Sequence, residues 1–86
     1  MEPLAELRKH VQGKFIIGAQ EAQKLINQRK LGRVYIASNC PAPIKAKLEE
    51  SCPANECELV ELAIPNDEVG TICKKPFSIS VVGVPK

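Results

Sequence analysis

Val34-Tyr35-Ile36-Ala37 is an apolar run with no polar position in it, and β-branched or aromatic side chains dominate it. Alternate residues of a strand point to opposite faces, so a strand of this composition needs cover on both sides. That asks for packed layers above and below it and rules out a sheet with a wet face here. The next residues, Ser38-Asn39-Cys40-Pro41, bring the chain to the surface, since Asn and Pro favour turns and Pro suits the start of a helix. In open α/β sheets ligands gather beyond the carboxyl ends of strands, where the Asn39 side chain offers both a donor and an acceptor. Turn chemistry alone also accounts for these residues.

The covering layers are legible on either side of that strand. Leu4, Leu7 and Val11 follow Pro3 at helical spacing and Gly13 stops them, which predicts a short amphipathic first helix. Residues 14 to 17 read as a brief buried strand. After Gly18, residues 19 to 30 predict a helix with Ala19, Ala22, Leu25 and Ile26 on its inner stripe and Gln20, Glu21 and Lys24 outside. The Arg33 to Ala37 strand follows, then a third helix opened by Pro41 and Pro43, carrying Ile44 and Leu48 and ended by Pro53. Residues 57 to 62 predict a third strand. Pro65-Asn66-Asp67 begins a short helix with Val69 and Ile72 inward, 74 to 76 form a loop, and 77 to 84 predict a last strand with one partly exposed face. Helices alternating with strands mean an α/β fold, a three-layer α/β/α sandwich.

Length and composition narrow the function. Eighty-six residues give one domain, 1–86, whose core must be aliphatic because the chain has two Phe, one Tyr and no Trp. The N-terminus lacks a signal peptide's basic start and apolar stretch, and no run approaches the roughly 18 apolar residues of a membrane span, so a cytoplasmic protein without a membrane partner is expected. Cys40, Cys52, Cys57 and Cys73 then read as reduced thiols. No metal is expected, since no Cys-x-x-Cys occurs and His10 is the one histidine. The net charge of +2 is segregated: residues 1–47 carry nine Lys/Arg against three acids, 48–73 carry seven acids alone, and 74–86 carry three lysines alone. Such a pattern suits a polyanion footprint beside an acidic remainder, or a merely solvated surface.

Three places offer binding chemistry. Ile17-Gly18-Ala19 enters a helix, where free N–H groups favour anions, although neither a Walker nor a dinucleotide glycine pattern is present. Gln20, Glu21 and Lys24 share a helix face and suit a base edge and a phosphate, or simply water. Lys74-Lys75-Pro76-Phe77 sets two cations beside a ring that either stacks on an extruded base or begins the core of the last strand. Catalysis has no constellation: His10 and Cys40 lack activating partners in sequence, so neither an enzyme nor a cofactor is expected.

Taken in order, Gly13-Lys14, Ile17-Gly18-Ala19, Ala37-Ser38-Asn39-Cys40-Pro41, Glu68-Val69-Gly70-Thr71 and Lys75-Pro76-Phe77 resemble the motifs of the kink-turn-binding superfamily of ribosomal proteins, most closely its large-subunit thirty-e branch in archaea and eukaryotes. The resemblance covers nearly the whole chain. It implies a mixed four-stranded sheet and a monomer, when free, that grips a sharply bent RNA internal loop in the large ribosomal subunit. Carried over by position, Gly18, Ala19, Gln20, Glu21 and Lys24 match the helix entering the kinked groove, Asn39 and Pro41 with Lys45 the second contact loop, and Lys75, Pro76 and Phe77 the third, with Lys74 beside it expected to meet phosphate. Three departures stand out: Gln20-Glu21 where the family often has Asn-Glu, Lys74 where relatives have glycine, and Pro53, which predicts a shortened third helix over a thinner core. Ribosomal RNA is the expected partner, with other large-subunit proteins possible neighbours. The rivals are a guide-RNA particle protein of the same superfamily and a protein-interaction module using the acidic stretch 49 to 68.

Overall fold

The structure, a computed structural model, describes residues 3–10 and 13–85. The Leu4 side chain and the whole of Val11, both expected on the inner stripe of the first helix, lie outside the described residues. The elements run α1 (Pro3–His10), β1 (Ile16–Ile17), α2 (Ala19–Asn27), β2 (Leu31–Ile36), α3 (Ala42–Ala54), β3 (Glu58–Glu61), α4 (Asn66–Ile72) and β4 (Val81–Pro85). The strands form one sheet in the order β1-β4-β2-β3. β4 pairs antiparallel with β1 and with β2, while β2 and β3, joined through α3, pair in parallel. The mixed four-stranded α/β architecture expected above is therefore the one observed.

The double-sided burial of β2 organises the core. Val34, Tyr35, Ile36 and Ala37 are all buried, and the two-residue period sorts them into separate clusters. Tyr35 and Ala37 pack with Leu7 of α1, Val69 of α4 and Val82 and Val84 of β4. Val34 and Ile36 pack with Ala22 and Ile26 of α2, Leu48 and Cys52 of α3, and Val81. One face of the sheet is thus covered by α1 and α4, the other by α2 and α3. The hydroxyl of wholly buried Tyr35 reaches a polar rim, where it donates to Glu6 at 3.4 Å and accepts from Arg33 at 3.5 Å. Arg33 also grips Glu58, its neighbour across the β2–β3 pair, through Nε at 3.1 Å and Nη2 at 2.9 Å. Burial raises the Tyr35 pKa against the pull of Arg33.

Several boundaries differ from expectation, for identifiable reasons. The α2 helix ends at Asn27 rather than residue 30 because the chain turns back in a Schellman motif: Arg29 N–H donates to Ile26 O and Lys30 N–H to Leu25 O, both at 2.9 Å. The same paired bonds close α3, from Glu56 to Pro53 and from Cys57 to Cys52, and α4, from Lys74 to Thr71 and from Lys75 to Gly70. The left-handed residues these turns require are Arg29, Glu56 and Lys74, at φ 57°, 57° and 60°, and none is glycine. Pro53 does not end or shorten α3, which runs thirteen residues. It sits in the last turn, where its carbonyl still accepts from Glu56, and Leu48 and Cys52 remain buried beneath the helix. The core there is closed by Gln23, whose Nε2 donates to Ser51 Oγ at 2.8 Å.

The strands are also revised. β1 is two half-buried residues at the sheet edge, not a buried run from 14 to 17. The last strand begins at Val81 rather than residue 77, and as an inner strand its Val81 to Val84 segment is buried on both faces. Residues 77–80 leave the ladder because α4 holds them, with Ile79 N–H donating to Asn66 O at 3.0 Å.

Candidate functional site

Backbone hydrogen bonds bring two of the segments singled out in the sequence, 17–19 and 37–41, to one edge of the sheet beside the start of β4. Gly18 N–H, where β1 ends and α2 begins, donates to Val81 O at 3.1 Å. Ala37 N–H, where β2 ends, donates to Ser80 O at 2.9 Å, and Ser38 N–H to Ile64 O at 2.8 Å. The exits of β1, β2 and β3 and the entry to β4 therefore share one rim, as the antiparallel setting of β4 requires.

Gly18 makes the entry to α2 possible. Its φ of 107° with ψ of 143° lies in a region that L side chains rarely adopt, although a Cβ there would meet open space. The residue is thus fixed by backbone conformation and not by crowding. It delivers half-buried Ala19 and exposed Gln20 and Glu21 to the rim. Gln20 and exposed Lys24, one turn apart, border a cleft between α2 and α3 that Lys47 borders from the other side.

Asn39 is exposed but engaged. Its Oδ1 accepts the backbone N–H of Asn66 at 2.8 Å, and its Nδ2 donates to Asn66 Oδ1 at 3.2 Å. Pro65, which precedes α4, offers no side-chain cap, so Asn39 caps that helix from another loop. One amide hydrogen and one oxygen lone pair of Asn39 are left for a ligand. Pro41 is exposed at the N-cap of α3, its carbonyl accepting from Ile44 and Lys45. Burial raises the thiol pKa of Cys40, which disfavours a reactive thiolate.

Lys45, which the resemblance matches to the second contact loop, already has an acidic partner. It pairs with Glu61 on β3, and that hydrogen bond raises its pKa. Glu58 is likewise held by Arg33, so the acidic and basic segments of the sequence partly offset each other, β2 against β3 and α3 against β3. Besides Glu21, exposed Asp67 and Glu68 stand in the first turn of α4.

The 74–77 segment is shaped by α4. Lys74 occupies the left-handed position of the Schellman turn, the conformation that glycine, its expected counterpart in relatives, adopts freely. Lys75 lies at the β1 edge with Lys14 and Phe15, not beside Asn39. Lys74, Lys75 and Pro76 are exposed. Phe77 is 54% exposed, the one exposed large hydrophobic among the described residues, so it is not the first core residue of β4. Its backbone, however, is tightly seated: a Cβ built on Gly70 would lie 2.1 Å from Phe77 O.

Sequence reasoning read Asn66 only as a helix start and did not single out Ser80. Asn66 Nδ2 donates to Ser80 Oγ at 3.4 Å, completing a link from the Asn39 loop to the start of β4. These partners stand 27 and 14 positions apart, beyond the reach of any local pattern. Among the described residues no cluster of His, Cys, Asp or Glu is arranged to hold a metal, and His10 packs its ring against Tyr35 at 6.2 Å between centroids.

The sequence model of a family described as "Ribosomal protein L7Ae/L30e/S12e/Gadd45 family" matches residues 4–86. The chain is 35% identical over 72 residues to the large ribosomal subunit protein eL30 of Methanosarcina mazei, covering 84% of this chain and just under two thirds, 66%, of that protein. It is 29% identical over 72 residues to eL30 of Trypanosoma brucei brucei, covering 84% of this chain and 69% of that protein. Among solved structures, a protein with unknown function from Bacillus halodurans C superposes with a TM-score of 0.85 at 18% identity, covering 96% of this chain and 83% of the other. The Giardia lamblia 15.5kD RNA binding protein superposes at 0.79 with 23% identity, covering 96% and 70%. At those identities the two superpositions bear on the fold.

Proposed function

The chain belongs to the ribosomal protein L7Ae/L30e/S12e/Gadd45 family, and from that membership we propose that residues 1–86 act as one RNA-binding domain, a non-catalytic component of the large ribosomal subunit that recognises a kink-turn-like bend. The observation that carries this reading is the shared rim: Gly18 bonded to Val81, Ala37 to Ser80 and Asn39 to Asn66. A hinged RNA is trapped in its bent state when only that state meets several loops at once.

Charge suggests how the RNA lies. Asp67 and Glu68 follow Asn66 in the first turn of α4, whereas exposed Lys24 stands on α2 and exposed Lys74 and Lys75 follow the far end of α4. In the proposed complex the phosphates follow those lysines, Gln20, Glu21 and Asn39 face base edges, and the exposed ring of Phe77 stacks on an extruded base. Gly18, Ala19, Pro41 and Pro76 shape the backbone around them. Lys45, held by Glu61, contributes less than its position in the sequence suggests. The pairing of Glu58 and Glu61 with cations argues against the acidic stretch as a docking surface for a protein. The free protein is proposed to be a cytoplasmic monomer that joins ribosomes.

The test is titration into a labelled kink-turn RNA and into a straight duplex of the same composition. Tighter binding to the kinked RNA is expected, and equal affinity for both sinks the proposal. Cosedimentation with large subunits rather than with small guide-RNA particles is expected in lysates.

A further inference from the structure

Hydrogen bonds at the rim converge on Asn66, which engages every polar group it has. Its backbone N–H donates to Asn39 Oδ1 at 2.8 Å and its backbone carbonyl accepts from Ile79 at 3.0 Å. Its side-chain oxygen accepts from Asn39 Nδ2 at 3.2 Å and its side-chain nitrogen donates to Ser80 Oγ at 3.4 Å. The amide orientations are not arbitrary. A backbone N–H can only donate, so the atom of Asn39 facing it must be the oxygen; the Asn39 nitrogen then faces the Asn66 oxygen, and the Asn66 nitrogen is turned to Ser80.

We propose that Asn66 is a positioning residue for RNA recognition, locking the Asn39 amide and the 77–80 segment into one rigid surface before RNA arrives. The inference rests on the RNA-binding reading above. Asn39 and Phe77 are both exposed, and an exposed group pays for binding with lost conformational freedom unless its support is already fixed. Asn66 supplies that support to both loops through side-chain bonds to Asn39 and Ser80, from a half-buried position. It is uncharged, so it adds nothing to the release of counterions from RNA.

The experiment compares the wild-type chain with Asn66→Ala and Ser80→Ala on the kink-turn RNA and the straight duplex over a series of salt concentrations, with circular dichroism and melting as controls of folding. Asn66→Ala is expected to weaken binding to the kinked RNA by about tenfold, equivalent to about 1.4 kcal/mol, with the straight-duplex affinity and the salt slope unchanged. Ser80→Ala removes the 3.4 Å bond alone and is expected to lower the affinity for the kinked RNA by roughly twofold to threefold, within the range of one modest hydrogen bond. A folded Asn66→Ala protein that binds kinked RNA like the wild type overturns the inference, as does an equal loss on both RNAs. Should Asn66→Ala not fold, an unchanged kinked-RNA affinity in Ser80→Ala overturns it instead. A wild-type protein that does not distinguish the two RNAs takes away the underlying RNA reading, and that result is separate because it precedes any variant.

Discussion

The loop at 38–41 and the segment at 74–80, which meet where Ala37 N–H donates to Ser80 O, are fixed by opposite means. In the first, the side chain is fixed: Asn39 bonds through both amide atoms to Asn66. In the second, the backbone is fixed and the side chain is released: Lys75 N–H and the Phe77 carbonyl are seated against Gly70, while the Phe77 ring stands 54% exposed. An amide that reads a partner by hydrogen bonds gains from a set orientation, whereas a ring that stacks needs a fixed base and a free face. One candidate contact is thus held to the tip of its side chain and the other only along its backbone.

The contrast can be broken at Gly70 most severely. Gly70→Ala sets a methyl group against the Phe77 carbonyl, and is expected to cost about 3 kcal/mol of stability, as overpacking against an unyielding neighbour does; urea unfolding measures it, and a loss below about 1 kcal/mol would mean that the 74–80 backbone is not seated as described. Phe77→Ala is expected to leave the urea midpoint nearly unchanged and to weaken binding of the kinked RNA by about 1–3 kcal/mol, read by titration. A marked loss of stability would return Phe77 to the core. Asn39→Ala should do the reverse in part: removal of a cap acting across loops is expected to cost about 1 kcal/mol of stability, so the midpoint falls where that of Phe77→Ala does not. The smallest effect sharpens the comparison from the favourable side. Lys74→Gly relieves a left-handed residue at φ 60° and is expected to raise stability by up to about 1 kcal/mol, strain relief being offset by glycine's greater unfolded-state entropy. Melting with no gain would show that strain at Lys74 does not exceed glycine's entropic cost.

Much of the fold could be read from the chain because its signals are local. The apolar run at 34–37 announced an inner strand, and the spacing of Ala22 and Ile26 and of Ile44 and Leu48 announced the helices that cover one face of it. The helix ends were harder. Glycine is the usual sign of a Schellman stop, and here Arg29, Glu56 and Lys74 occupy that position in all three motifs, so α2 was drawn too long and Pro53 was credited with a stop that lies beyond it. Residues 77–80 alternate like a strand, but their tie to α4 through Asn66 and the seat on Gly70 withdraws them from the ladder. Of the candidate site, Gly18, Gln20, Lys24 and Asn39 were visible as residue types at the ends of elements. The Lys45–Glu61 pair and the Asn66 hub were not, since neither periodicity nor composition reports which distant side chains meet.

Short-range order along the chain is enough to specify the alternation of helices and strands, the double-sided burial of β2 and the polar segments that follow strands, because these depend on neighbouring side chains and on the periods of 2 and 3.6 residues. The folded chain alone shows that Asn39 is held by a residue 27 positions away, that Lys45 of α3 is paired with Glu61 of β3, and that the Phe77 ring faces solvent. Those outcomes follow from strand order and register, which bring remote residues within hydrogen-bonding distance, and short-range side-chain order carries no record of them.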